Sequence, residues 1–424
     1  MQSNNRFATL LLSACLASGH VVAEDLTLAQ ATEKTLAKHP ILSVYSLRAD
    51  AIQAQREVAA LRPALEFGIE VENFGGTGAA SGFDEAEITA SLSSVIELGS
   101  KRSARTALAD TRSGLLRIEL QAQALDLLGA MTSLFINALS LKEQFRLAQE
   151  ALLLSEETSE TIAKQINAGL TPEAELLRAK ARESTARISL ESIRRELDVT
   201  TTELGVFWGM RTRSDFDVQG DLFNFGKART FDELWELAYS SPAVKTFTSE
   251  ERLRDAEIRL AESKGKLDIR WSVGIRRLEG LNENALVGSL QIPLNSARRN
   301  RGAVAESRAR RAEVGVLREQ ALNQLYVRLY DAYETRKQSI AAVRRLREET
   351  IPALSKALDQ TRSLFEAGQY SYLELIDAQR VLLDAKQTYI ATASAALQAA
   401  VAIEQLTGIS LQNEVGGSSQ ESIK

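Results

Sequence analysis

Two hydrophobic rhythms alternate along this chain, and they predict two kinds of element. In "ALEFGIEVENFGG" (64–76), Leu65, Phe67, Ile69 and Val71 alternate with Glu66, Gly68, Glu70 and Glu72. A period of two places the apolar set on one face of a strand and the carboxylates on the other. The rhythm recurs at about 86–98, where Ile88, Ala90, Leu92, Ile96 and Leu98 oppose Glu87, Thr89, Ser91 and Ser93. At about 267–277, Leu267, Ile269, Trp271, Val273 and Ile275 oppose Asp268, Arg270, Ser272 and Arg276. A fourth stretch, about 285–294, sets Leu286, Leu290, Ile292 and Leu294 against Val287, Ser289 and Gln291. The rest of the chain keeps helical time. Leu120, Ala124, Leu127, Met131, Leu134, Ala138, Leu141, Phe145, Ala148 and Leu152 follow alternating steps of four and three, the seam of a coiled coil. A helix from about 102 to 166 would be roughly 100 Å long at 1.5 Å per residue. It turns at Gly169 and returns through Leu190, Ile193, Leu197 and Leu204. A second hairpin turns at Gly368, with Pro352 expected to kink its first helix.

The order of elements occurs twice. "KHPILSVYSLRADAIQAQRE" is answered by "SSPAVKTFTSEERLRDAEIRLAESKG", and "NAGLTPEAELLRA" by "EAGQYSYLELIDA". Pro40 and Pro242 stand 202 residues apart, Leu98 and Leu294 196, and Gly169 and Gly368 199. Three landmarks at nearly constant offset predict a tandem duplication, with a period too long for a solenoid. The first repeat is placed at 24–209, a polar link at 210–230, and the second repeat at 231–410. A Ser- and Gly-rich tail at 411–424 has little to bury and is expected to be disordered.

Composition narrows the chemistry. With 424 residues, 6% aromatic, six prolines and a net charge of only −5, neither nucleic-acid binding nor an acidic tail dominates. Arg6 and the apolar run "FATLLLSACLASG", followed by "VVA", predict an export signal at 1–23; "LSAC" offers an alternative lipoprotein cut before Cys15. Beyond that leader, no segment is expected to reach the roughly 18 apolar residues of a spanning helix. Cys15 is the sole cysteine, so no thiolate metal cage is available. His39, just before a helix-starting Pro40, is expected to be a surface or capping residue. No catalytic constellation occurs, and no catalytic residue, metal ligand or cofactor site is assigned.

Each strand has about the length that a tilted strand needs to cross a bilayer. A soluble sheet packing one face on helices would show the same alternation. The long helices, however, are committed to one another through their seams. In lipid, four strands leave two unpaired edges, which hydrocarbon does not tolerate. Two chains would close eight strands, and three would close twelve with room for water. The acid-rich faces argue for a wet interior, so Glu66, Glu70, Glu72, Asp268 and Arg270 are expected to face a lumen. Lys101, Arg102 and Arg105 after the second strand, and Arg298, Arg299 and Arg301 after the fourth, suit a collar reaching lipid head groups.

The leader, the tandem repeats and the "AG…ELLRA / AG…ELIDA" turns resemble the TolC-like outer-membrane factors of Gram-negative bacteria. "EVENFGGTG" followed by "SSVIELGSKRSAR" is similar to their heavy-metal branch, the CzcC-like proteins. The resemblance covers essentially the whole mature chain. It implies a mainly α protein with membrane β: a homotrimer whose twelve-stranded outer-membrane barrel continues into a long periplasmic coiled-coil barrel. It implies docking through a periplasmic adaptor onto an inner-membrane RND pump, outer-membrane lipid as surroundings, and passive export of divalent heavy-metal cations. Cargo of drugs or secreted proteins remains open, as does an exported coiled-coil rod or adaptor. By the same resemblance Ala168, Gly169, Leu170, Ala367 and Gly368 are adaptor-docking tips. Glu374 and Asp377, three apart and so on one helix face, match acidic residues that ring the periplasmic aperture. The family's closed-gate latch joins an acid to an Arg; here Glu175 matches the acid, but Tyr370 stands where the Arg would be, and Arg178 is a substitute.

Overall fold

The computed structural model describes residues 24–169, 171–212, 216–294 and 296–409. The leader with Cys15, the tip residue Leu170 and the tail at 411–424 lie outside the described residues. The chain opens with a short strand β1 (Glu24–Thr27), then α1 (Leu28–Lys38) and α2 (Pro40–Ala60). Thr27 and Gln30 form a reciprocal capping box that starts α1, and His39 Nδ1 accepts from the Ile41 amide to start α2. The strands β2 (Glu66–Glu72) and β3 (Glu87–Glu97) follow, then α3 (Lys101–Asn167) and α4 (Glu173–Val206). After β4 (Phe216–Gln219) come α5 (Phe231–Tyr239) and α6 (Pro242–Lys264), then β5 (Asp268–Leu278) and β6 (Glu283–Gln291). The chain closes with α7 (Ser296–Arg299), α8 (Arg301–Arg345), a π turn at Leu346–Thr350, α9 (Ile351–Glu366) and α10 (Tyr372–Thr407).

β2 ends with the alternation at Glu72, short of the full 64–76 stretch, because Asn73 (φ 56°) and Gly75 (φ 70°) turn the backbone left-handed. The four long strands form one antiparallel sheet in the order β2–β3–β5–β6. The central pairing, Glu87 opposite Leu278 through Glu97 opposite Asp268, joins the two halves of the chain across 171 to 191 residues of sequence. β2 and β6 are the two edges.

α3 is 67 residues long and is the spine of the helical body. Every residue of its predicted seam is buried or half-buried. Contrary to the sequence expectation, α3 does contain a stretch apolar enough to span a membrane, but more than half of that stretch is buried against other helices. Met131, Phe135, Ile136 and Leu139 pack there with Leu204, Val343, Ile390 and Leu397 from α4, α8 and α10. Burial on several sides demands apolar residues beyond the seam, and this is why the stretch reads as a spanning helix.

The stretch expected to be a polar link is partly core. β4 pairs in parallel with β1, and Val218 and Leu222 insert beside Phe135. Lys142 of α3 fastens it, its Nζ donating to Asp217 at 2.7 Å and to the Val218 carbonyl at 2.8 Å. Helical backbone runs unbroken past Pro352, through a π turn at Leu346–Thr350 directly before it that accommodates the missing amide.

Candidate functional site

The sheet has two unlike faces. Strand register lines up Phe67, Ile69 and Val71 with Leu92, Ala90 and Ile88, then with Val273 and Ile275, then with Leu286. This apolar face has no cover within the chain: Phe67 is 70% exposed, Ile275 58% and Leu286 84%. Leaving such a surface in water forfeits about 25 cal/mol per Å². The opposite face carries the polar residues and is the more enclosed. Thr89 is buried there, and Glu87, Ser91, Ser93, Val95 and Glu97 are half-buried. Ser272 and Ser289 hydroxyls meet across β5 and β6 at 2.8 Å.

Of the five residues expected on a lumen face, Glu66, Glu70 and Arg270 are exposed on this polar side. Glu72 is held by Arg276, whose Nη2 lies 3.0 Å from Glu72 Oε2. Asp268 differs: its Oδ2 binds Lys101 Nζ at 2.6 Å, and its Oδ1 accepts from the Leu98 amide. It stitches the base of β5 to the start of α3. This also corrects the first basic collar. Lys101 is buried and donates to the Lys266 carbonyl at 3.0 Å, while Arg105 grips Glu97 with both arms (2.6 and 3.0 Å) and reaches the Ala59 and Leu61 carbonyls. Glu97 holds the Arg105 guanidinium charged more firmly than usual. These two cations brace the sheet–helix junction instead of reaching lipid; Arg102, Arg298, Arg299 and Arg301 are exposed.

At the far end of the helices both hairpins turn together. Gly169 (φ 71°) and Gly368 (φ 75°) adopt the left-handed conformation that stops α3 and α9, with their amides bonded back to Ile166 and Phe365 carbonyls. Ala168, Gly169, Ala367 and Gly368 are all exposed. Beneath them Ile162, Ala179, Leu358, Phe365, Tyr372 and Leu375 form a small apolar core. Gln379 of α10 donates to Thr158 of α3 at 3.1 Å inside the contact.

The expected gate residues are engaged in different ways. Glu374 completes the capping box of α10: its Oε2 accepts from the Ser371 amide at 2.7 Å and from its hydroxyl at 2.9 Å. Asp377, one turn on, pairs with Arg380 at 2.6 Å in solvent. Glu175 pairs with Arg178 at 3.2 Å, and its other oxygen is buried with no hydrogen-bond partner among the described residues. Tyr370 is exposed. Tyr372 is buried in the apolar core beneath the turns, and that burial raises its hydroxyl pKa, with Arg182, Glu175 and Arg178 acting through their charges. Sequence reasoning missed Tyr372 as a tip residue. The available signal was its place three before Leu375 in the apolar stripe of α10.

Among the described residues, no group of three His, Cys, Asp or Glu side chains is placed to hold a metal ion. An uncovered amphipathic sheet mounted on very long helical hairpins is the architecture of outer-membrane channels. The structure of CusC superposes with a TM-score of 0.76 over 90% of this chain and 91% of that one at 16% identity. The outer membrane protein VceC of Vibrio cholerae superposes at 0.72 over 91% and 97% with 16% identity. The chain belongs to the outer membrane efflux protein family, whose model matches residues 31–210 and 236–409. That membership places it among transport proteins rather than enzymes. It is 26% identical over 322 residues to the cobalt-zinc-cadmium resistance protein CzcC of Cupriavidus metallidurans, covering 76% of this chain and 77% of that one.

Proposed function

We propose that this protein is the passive outer-membrane duct of a tripartite efflux system and that its cargo is divalent heavy-metal cations of the cobalt, zinc or cadmium type. The duct rests on one observation: an apolar sheet face without cover in the chain, backed by a polar, more enclosed face and bounded by the edges β2 and β6. In hydrocarbon those edges must be paired. Three copies close twelve strands around a lumen wide enough for water, with Glu66, Glu70 and Glu72 toward it. The helical body then lies in the periplasm of a Gram-negative cell, and the exposed tips at Ala168, Gly169, Ala367 and Gly368 meet an adaptor linked to an inner-membrane pump. Glu374 and Asp377 supply acidic groups at the periplasmic opening, suited to passing cations. The metal assignment is supported by the likeness to CzcC across most of both chains.

Deleting the gene is the test. Sensitivity to cobalt, zinc or cadmium should rise and be restored by the plasmid-borne gene, with drug tolerance unchanged. Unchanged metal tolerance together with heightened drug sensitivity would move the cargo to drugs and leave the duct standing.

A further inference from the structure

The turn end of the sheet holds a side-chain cluster to which the duct reading gives no role beyond a lumen-facing Glu72. Glu72 closes β2 and Glu87 opens β3, and the register sets them directly opposite each other. Like charges facing across an antiparallel pair repel. Arg276, two residues before the end of β5, resolves the conflict. Its Nε donates to the hydroxyl of buried Thr89 at 2.9 Å, which fixes the base of the guanidinium. One arm lies 3.0 Å from Glu72 Oε2 and the other reaches Glu87 Oε2. Asn73 Nδ2 donates to the second Glu87 oxygen at 3.1 Å. The cluster spans three strands on the polar face, and the neighbouring turns hold it rigid: the Glu279 amide donates to the Ala86 carbonyl at 3.0 Å.

We propose that Arg276 sets the ionic selectivity of the duct at this end, by drawing Glu72 and Glu87 together and cancelling one of their two charges. The inference rests on the duct reading, which puts the polar face toward the lumen. A planar guanidinium suits the task, because its fork serves two carboxylates while a third N–H is anchored. Removing it leaves two facing carboxylates per chain with oxygen ligands of the kind a hard divalent cation takes. Arg276 is therefore what keeps the pair from becoming a cation trap that would slow passage of the exported ion.

The experiment is conductance of the purified full-length protein in planar bilayers, with calcium as the probe. Arg276→Gln should raise the potassium-over-chloride permeability ratio several-fold and strengthen calcium block several-fold. Adding Glu87→Gln to it should abolish that block. Arg270→Gln removes the same charge from the same face and should not create block, since Arg270 is exposed and, among the described residues, holds no carboxylate pair. Should Arg276→Gln fail to assemble, Glu72→Gln and Glu87→Gln decide the matter, each lowering the permeability ratio. Conducting variants with the parent's selectivity and block would overturn the proposal while leaving the duct intact. A parent protein that forms no pore would overturn the duct reading, and the inference with it.

Discussion

At the hairpin ends single residues carry unusual burdens. Gly169 and Gly368 hold left-handed backbone, and a Cβ at either would meet open space. The cost of Gly368→Ala is therefore conformational alone, about 1–2 kcal/mol. Ala168 and Ala367 beside them have ordinary helical backbone and exposed side chains. We expect Ala168→Trp or Ala367→Trp to abolish metal resistance while assembly, followed by native mass measurement, is unchanged; retained resistance would remove these tips from the docking surface. Tyr372 and Tyr389 make a second prediction. Burial is the largest influence on both and raises their pKa above the usual tyrosine value. The folded state thus holds the phenol proton more tightly than the unfolded chain does. The resulting stability is fully present below about pH 10 and is lost as pH rises past that point. Thermal unfolding followed by circular dichroism should show a smaller alkaline loss in Tyr372→Phe with Tyr389→Phe than in the parent. Equal losses would mean that neither phenol is held neutral by the fold.

Elements fail for reasons that single contacts do not reveal. Gly274 sits mid-strand in β5 opposite Ser91, where a Cβ would lie 2.5 Å from the Ala90 carbonyl oxygen and 3.0 Å from the Ser91 backbone. Backbone cannot yield as a side chain does, so Gly274→Val should separate β3 from β5. The expected outcome is loss of the membrane-assembled form, read as loss of heat-resistant oligomer on gels, while helix content persists. At the start of α10, Glu374 serves as a helix cap as well as a proposed gate group. Alanine there would remove the reciprocal half of the box, at a cost of about 0.3–1.5 kcal/mol, and confuse the two roles. Glu374→Gln keeps the capping box, since Gln fills the same position. Combined with Asp377→Asn it should weaken divalent-cation block and lower cation selectivity in bilayer recordings, with thermal stability near the parent's. Parent-like block would place these carboxylates off the aperture.

For the whole molecule, the uncovered sheet face is the governing fact. Four strands with open edges and an apolar face cannot persist in water or alone in lipid. Native mass measurement in detergent should give a trimer; a stable, pore-forming monomer would refute closure by association. Charge on the lipid side is a separate probe. Leu286, 84% exposed on that face, should tolerate arginine poorly, at about 2–4 kcal/mol if it lies near the bilayer midplane. Arginine at Ser289, on the polar face of the same strand, should be accepted with little loss of folded protein.

Element type and facing were legible in the sequence because both are local. Alternation in "EFGIEVE" commits successive side chains to opposite sides of any extended backbone, and the steps of four and three in α3 commit a stripe to one side of any helix. Ser371 and Glu374 announce a capping box by spacing alone. Partners were not legible, because they depend on where a distant segment returns. Nothing near Asp268 says that it will neutralise Lys101, nor near Glu72 that Arg276 will hold it, and both pairs bridge strands or helices from different halves of the chain. The same holds for β1 finding β4 and for Tyr372 packing beside Ile162 and Phe365. Periodicity dictates which way a side chain points relative to its own backbone; only packing between elements decides what it meets there.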